Sequence, residues 1–235
     1  MKGIILAGGN GERLKPLTSF ISKHMIPIGK YPLIHYSLKK LKNTNIDDVI
    51  IVVNKKGIDQ TVQYLGDGSK YGLDITYKIQ EEPKGIAHAL YLTKNFVGND
   101  DCVVVLPDNF YESEINIQDF KDGAKVFLTK VNNPYDYGIV EIKDNKIINI
   151  EEKPKNPKSN YCVIGLYVYD NKVFDIIKNL KPSDRGEIEI TDVNKIYLQK
   201  DKLNFEFLDG WWLDIGSIDS LQKVNLIKDG EILYE

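Results

Sequence analysis

The chain has 235 residues, 42% of them hydrophobic, enough for one large core or a main domain with appendages. Lys and Arg (31) are mixed among Asp and Glu (34) for a net charge of −3, with no basic block to serve as a footprint for nucleic acid. No apolar run approaches the roughly 20 residues that cross a bilayer, and the first such run, Gly3–Ala7, is too short and wrongly flanked for a secretory signal. Apolar, β-branched runs at Lys2–Ala7, Asp48–Val53, Asp74–Gln80 and Cys102–Leu106 predict strands. Between them, Leu33–Leu41, Ile58–Leu65 and Gly85–Val97 predict helices, the last with Ile86, Ala89, Leu90, Thr93, Phe96 and Val97 on one face. Strands alternating with amphipathic helices imply right-handed crossovers and a mostly parallel sheet covered on both faces. The continuous apolar runs VIIVV and CVVVL fit strands buried on both sides.

The second half changes pattern. Ala124–Val131 reads as a strand, and Gly138–Ile142 with Lys146–Ile150 flanks Lys143-Asp144-Asn145 as a hairpin. A strand at Val163–Tyr169, helices near Lys172–Leu180 and Glu187–Lys200, a strand at Leu203–Leu208 and a helix near Ile218–Ile227 follow. No linker, low-complexity tract or internal repeat interrupts the chain. The expectation is one α/β domain, a Rossmann-like three-layer sandwich with a mostly parallel sheet plus added antiparallel strands. Cys102 and Cys162 lie apart in apolar segments and read as buried free thiols of a reducing, cytoplasmic setting. His24, His35 and His88 lack metal-ligand spacing.

The stretch AGGNGERLKP holds the first chemical signal. Gly8-Gly9-Asn10-Gly11 ends the first strand, where open parallel sheets bind ligands, and glycines there let backbone N–H groups approach a phosphate. A Walker loop is excluded, since no Gly-Lys-Ser/Thr follows, and the dinucleotide fingerprint has Leu14 in place of its last glycine. No acid follows the second strand at Val53-Asn54-Lys55, against a nicotinamide site, and no Asp-x-Asp lies near Asp108, against a glycosyltransferase. Arg13, Lys15 and Lys23, interleaved with Pro16 and Pro27, read as an extended arm folding cations over the glycine loop, with a polyanion such as a triphosphate as occupant.

The segment AGGNGERLKPLTSFISKHMIP resembles the signature of sugar-1-phosphate nucleotidyltransferases. GDGSKYGLDITYKIQEEPKGIAHAL, VVLPDN, IEEKPKNPKSNYCVIGLYVYD, LKPSDRGEIEITDVNKIYL and WWLDIGS are similar to segments of the glucose-1-phosphate thymidylyltransferase branch of that family, and the likeness covers essentially all 235 residues. The resemblance implies in-line attack of glucose 1-phosphate on the α-phosphate of dTTP, with pyrophosphate leaving and Mg²⁺ as cofactor. UTP or another hexose 1-phosphate is the alternative substrate, and a regulatory paralogue is the non-enzyme alternative. It implies catalytic roles for Arg13 and Lys23, and Mg²⁺ ligation by Asp108 and Asp214. Nucleotide contacts fall to Leu6, Gly8, Gly9, Gly11, Arg13, Gln80, Pro83, Gly85 and Asp108, with Gln80 reading the pyrimidine edge. Sugar-phosphate contacts fall to Tyr137, Gly138, Glu152, Lys153 and Val163. A single nucleotidyltransferase domain over 1–235 is expected, with a nucleotide half (about 1–110) and a sugar-phosphate half (about 111–235). Two residues depart from the family pattern, Glu12 in place of Thr and Pro107 in place of Gly. The helical extension that builds a feedback site in longer members is expected to be missing. No nucleic acid or membrane partner is expected, and the oligomeric state, a homo-oligomer included, stays open.

Overall fold

The computed structural model describes residues 1–228. Thirteen strands and seven α-helices follow in chain order among them. The first half contains β1 (Lys2–Ala7), β2 (Pro27–Ile28), β3 (Tyr31–Pro32), α1 (Leu33–Asn43), β4 (Asp48–Asn54), α2 (Ile58–Leu65), β5 (Asp74–Gln80), α3 (Ile86–Tyr91), α4 (Lys94–Val97), β6 (Cys102–Val105) and β7 (Asn109–Tyr111). The second contains β8 (Ala124–Lys130), β9 (Gly138–Lys143), β10 (Lys146–Glu152), β11 (Tyr161–Tyr169), α5 (Val173–Lys178), α6 (Ile190–Gln199), β12 (Leu203–Phe207), β13 (Trp212–Asp214) and α7 (Ile218–Lys228).

One nine-stranded sheet runs β10-β9-β11-β6-β1-β4-β5, with β8 also paired to β11 and β12 beyond it. Its core β6-β1-β4-β5 is parallel, while β11 runs antiparallel to β6, β8 and β9. Alternation along β1 shows why the sheet is covered twice. Ile4 and Leu6 join the cluster that includes Ala87, Leu90, Phe174, Val193 and Tyr197, whereas Ile5 and Ala7 join Ile34, Leu38, Leu41 and Leu65. Helices α3, α5 and α6 therefore cover one face and α1 and α2 the other, as the period of two in a strand requires. The expected three-layer α/β architecture is present.

A third, smaller cluster matters most for the site. Leu14, Ile26, Ile28 and Leu33 pack with Phe110, Ile215, Leu221 and Val224. It clamps the segment after the glycine loop against the β7–β13 ribbon and α7, and so fixes where Lys23, Asp108 and Asp214 meet.

Three local expectations change. The helix over Gly85–Val97 breaks into α3 and α4, because Thr93 bonds back to the Leu90 carbonyl through both its N–H (3.0 Å) and its hydroxyl (2.7 Å), tightening that turn. Residues 187–189 stay extended ahead of α6, since Ile188 N–H donates to Lys84 O at 2.9 Å and Ile188 O accepts from Ala87 N–H. The expected extended arm is a series of three short 3-10 turns, Glu12–Leu14, Leu17–Ser19 and Lys23–Met25. The hairpin turns on Asp144 and Asn145, both at positive φ (50° and 56°), the conformation that suits a two-residue connection.

Candidate active site

At the end of β1, the loop 8–11 is held from one side. Asn54 Nδ2 donates to Gly8 O and Gly9 O (both 3.3 Å) and to Asn10 Oδ1 (3.2 Å), so those acceptors face β4. Among the described residues, nothing accepts from the N–H groups of Gly9, Asn10 and Gly11. Gly11 has φ +66°, and a Cβ there would meet the Lys23 side chain at 3.1 Å. The turn is thus closed enough to bring Lys23 beneath the loop, and glycine is what the close approach needs. Thr18 Oγ1 donates to Gly11 O at 2.8 Å and pins the arm to the loop.

Lys23 is buried, and its Nζ lies 2.5 Å from Asp108 Oδ2. Asp108 sits in the turn after β6, two residues beyond the expected strand end at Leu106, because β6 stops at Val105 and β7 begins at Asn109. Antiparallel pairing of β7 with β13 sets Asn109 opposite Asp214, and Ile215 N–H donates to Asp108 O at 2.8 Å. Burial opposes charge on Asp108, but Lys23, His24 and the Asn109 amide together hold its carboxyl down at about 2. Burial and then the Asp108 charge push Asp214 up to about 6, with Lys23 and Arg13 opposing. Arg13 Nη2 approaches Asp214 Oδ2 at 3.9 Å with the arginine side chain 67% exposed.

Beyond the carboxylates lies a cavity of about 250 Å³. Its wall includes Arg13, Asp108, Asp214, Tyr137, Gly138, Glu152, Lys153 and Val163. Glu152, at the end of β10, accepts from Thr191 Oγ1 at 2.5 Å, and burial raises its carboxyl above the ordinary range. Lys153 takes a left-handed backbone (φ 44°) while its N–H donates to Tyr137 O at 2.9 Å, which turns the chain at the cavity mouth. Val163 lies where the β11–β8 register shifts, between Val163 and Tyr167.

A family model described as "Nucleotidyl transferase" matches residues 2–229. The chain belongs to the nucleotidyl transferase family. It is 41% identical over 232 residues to a glucose-1-phosphate thymidylyltransferase of Neisseria meningitidis, covering 95% of this chain and 81% of that protein. It is 44% identical over 229 residues to one of Mycolicibacterium smegmatis, covering 94% of this chain and 80% of that protein. A crystal structure from Bacillus anthracis, described as a candidate glucose-1-phosphate thymidylyltransferase, superposes with TM-score 0.95 at 46% identity, covering 100% of this chain and 97% of that one. The sugar-1-phosphate nucleotidyltransferase resemblance and the fold expected from the sequence both hold.

Within this family fold, the expected site residues fall into two groups. One cavity gathers Arg13, Asp108, Asp214 and the five expected sugar-phosphate residues. Gly8, Gly9, Gly11, Gln80, Pro83 and Gly85 lie outside that wall, around the glycine loop and the start of α3, and Leu6 is buried in β1. Lys23 joins the groups through Asp108. Glu12 pairs with Lys15 (2.5 Å) and both side chains are exposed, while Pro107 is buried.

Several residues on the cavity wall lie in the quoted family-like segments but had no role assigned to them. Asn109 donates to Asp108 Oδ1 (3.0 Å) and accepts from Gly165 N–H (2.8 Å) and Trp212 Nε1–H (2.9 Å), tying β7, β11 and β13 together. Arg185 binds Glu189 through Nη2 at 2.8 Å and stands 3.6 Å from Glu152. Asn109 lies in VVLPDN and Arg185 in LKPSDRGEIEITDVNKIYL, so the family-like segments pointed to both without giving either a partner.

Proposed function

We propose that the chain makes dTDP-glucose and pyrophosphate from dTTP and glucose 1-phosphate, with UTP as the second nucleotide to test. The reading rests on one observation above all. The Lys23–Asp108 pair and Asp214 stand between an N–H-rich glycine loop and a polar cavity of hexose-phosphate dimensions. The thymidylyltransferase relatives supply the substrate names. A hexose phosphate in the cavity would have its hydroxyls near Glu152, Gly138 and Val163, and its phosphate near Lys153. The triphosphate would lie along the loop, with Arg13 reaching its outer phosphates.

An oxygen of the sugar phosphate then attacks the α-phosphorus in line, forming the new P–O bond as the bond to the bridging oxygen of the β-phosphate breaks. The attacking sugar-phosphate oxygen is already anionic at neutral pH, so no base need remove a proton, and positioning with charge neutralisation does the work. Lys23, already buried beside Asp108, places its ammonium where charge builds on the α-phosphate. Asp108 and Asp214 fit a Mg²⁺ ion: two partly buried carboxylates repel each other, and among the described residues no third acid, His or Cys joins them as a ligand cluster. Asp108 and Asp214 would hold the ion, which would supply neutralisation of phosphate charge.

Pyrophosphate release, measured with four nucleoside triphosphates against several hexose 1-phosphates and Mg²⁺, tests the reading. The expected result is highest kcat/KM for dTTP with glucose 1-phosphate. No turnover across the panel overturns the enzymatic reading, and a clear preference for another pair overturns the substrate assignment.

A further inference from the structure

The arm that carries Lys23 is pinned at its two ends, where Leu14 and Ile26 are buried in the small third cluster. Between them Leu17 and Phe20 are 42% and 84% exposed, so apolar burial does little for the middle of the arm. Among the described residues, the backbone–backbone hydrogen bonds of residues 12–25 close within the arm or on Gly11, and none reaches the sheet.

The ties to the rest of the molecule come from side chains at the corner between β4 and α2. Lys56 Nζ donates to Thr18 O at 2.6 Å. Gln60, in the first turn of α2, binds the arm twice: its Oε1 accepts from Ser22 N–H at 2.8 Å and its Nε2 donates to Phe20 O at 3.2 Å. A backbone N–H only donates and a backbone carbonyl only accepts, so both contacts agree on one orientation of this amide. The corner fits the arm closely, since a Cβ on Gly57 would meet Ser22 Oγ at 2.8 Å. The same corner carries Asn54, whose Oδ1 accepts from Gly57 N–H at 2.8 Å while its Nδ2 faces Gly8 O and Gly9 O. The glycine loop and the arm are therefore both measured from one element.

Ser22 precedes Lys23 and opens the 3-10 turn Lys23–Met25, whose Met25 N–H donates to Ser22 O at 2.9 Å. Where Gln60 sets the Ser22 amide, the Lys23 backbone begins. The far end of the lysine rests on Asp108 at 2.5 Å, but in the proposed reaction that ammonium also has to face the α-phosphate. As it turns from the carboxylate, its reach is fixed by where its backbone stands.

We propose that Gln60 is a positioning residue for Lys23, holding the Ser22–Lys23 backbone so that the ammonium meets the α-phosphate in the transition state. This deepens the proposed function and rests on Lys23 being the group that neutralises charge there. Gln60 acts through backbone alone, so its removal leaves every charge of the site in place and changes only where one of them stands.

Steady-state pyrophosphate release by the full chain, with dTTP, glucose 1-phosphate and Mg²⁺, tests this in Gln60→Leu, which keeps the bulk and removes both bonds. The expected result is a kcat about 10-fold lower, as slight misplacement of a catalytic group produces, with both KM values within about 3-fold. The deciding comparison is a double-mutant cycle. In a Lys23→Ala background, Gln60→Leu is expected to cost less than about 2-fold, because the group it positions is gone. A residue that only staples the arm would slow both backgrounds equally, or lower Tm and leave kcat unchanged, and either result overturns the inference. If Lys23→Ala loses its turnover while Gln60→Leu keeps it, only the role of Gln60 fails. Near-normal kcat in Lys23→Ala overturns the reading of Lys23 beneath it.

Discussion

The two sides of the site are built in opposite ways. The proposed sugar side is a walled cavity whose polar groups already hold one another: Thr191 on Glu152, Arg185 on Glu189, Asn109 on Gly165 and Trp212. The proposed phosphate side is a loop whose N–H groups meet no acceptor among the described residues, with an arginine 67% exposed and a Glu12–Lys15 pair in solvent. A neutral, hydroxyl-rich ring is recognised by geometry, so its partners must be placed beforehand. A triphosphate is recognised by charge, so a bare backbone and long cations suffice until the ligand gathers them. Lys23 belongs to the preformed side in burial and to the charged side in chemistry.

The largest effect is expected where the two constructions join. Lys23→Ala and Asp108→Asn should each lower kcat by about 100-fold or more, as loss of a transition-state charge partner does. Thermal melting should still show a folded protein, and near-normal kcat in either variant would remove that residue from the chemistry. Glu152→Gln tests the walled side. It keeps the shape and removes the charge, and should raise KM for glucose 1-phosphate about 10-fold with little change for the nucleotide. Comparable shifts in both KM values would mean that the sides are not separable.

Gly8→Ala probes the loop more gently. Its Cβ would displace the Gln80 amide, raising nucleotide KM several-fold. Gly9→Ala meets no atom within 4 Å and should leave the fold intact, so equal unfolding of both variants would contradict the packing described.

The smallest activity effect, with a distinct stability signature, belongs to His24. Burial first and Lys23 second lower its pKa from 6.5 to about 4, against Asp108 and a backbone bond with Ala7. The unfolded chain therefore binds a proton between those values that the folded protein refuses. The contribution is fully present above pH 6.5 and is lost as pH falls toward 4. Its ceiling is about 3 kcal/mol. Denaturant melts of wild type and His24→Gln across that window should show a shallower slope for the variant, and parallel slopes would refute the assignment.

How much of this was legible beforehand varies with the element. Strands β1, β4 and β6 were visible because burial on both faces leaves continuous apolar runs. The hairpin of β9 and β10 was visible because its turn is written in Asp144 and Asn145. The broken helix at Thr93 was not, since a side chain bonding back to its own turn leaves the apolar period unchanged. The short strand β7 was equally hidden, because three residues are too few to show a period.

The amino-acid sequence by itself determined the alternation of strands and helices, the glycine turn at the end of β1 and the supply of cations and acids around it. These are local properties, set by backbone sterics and by which face of an element is apolar. Only the tertiary structure decided which polar groups meet. Trp212 reaches Asn109 across 103 residues, Lys23 reaches Asp108 across 85, and Arg185 turns to Glu189 within reach of Glu152. Such partners depend on strand register and on the small cluster that locks the arm to the β7–β13 ribbon, and a polar residue in a loop carries no periodic signal of either.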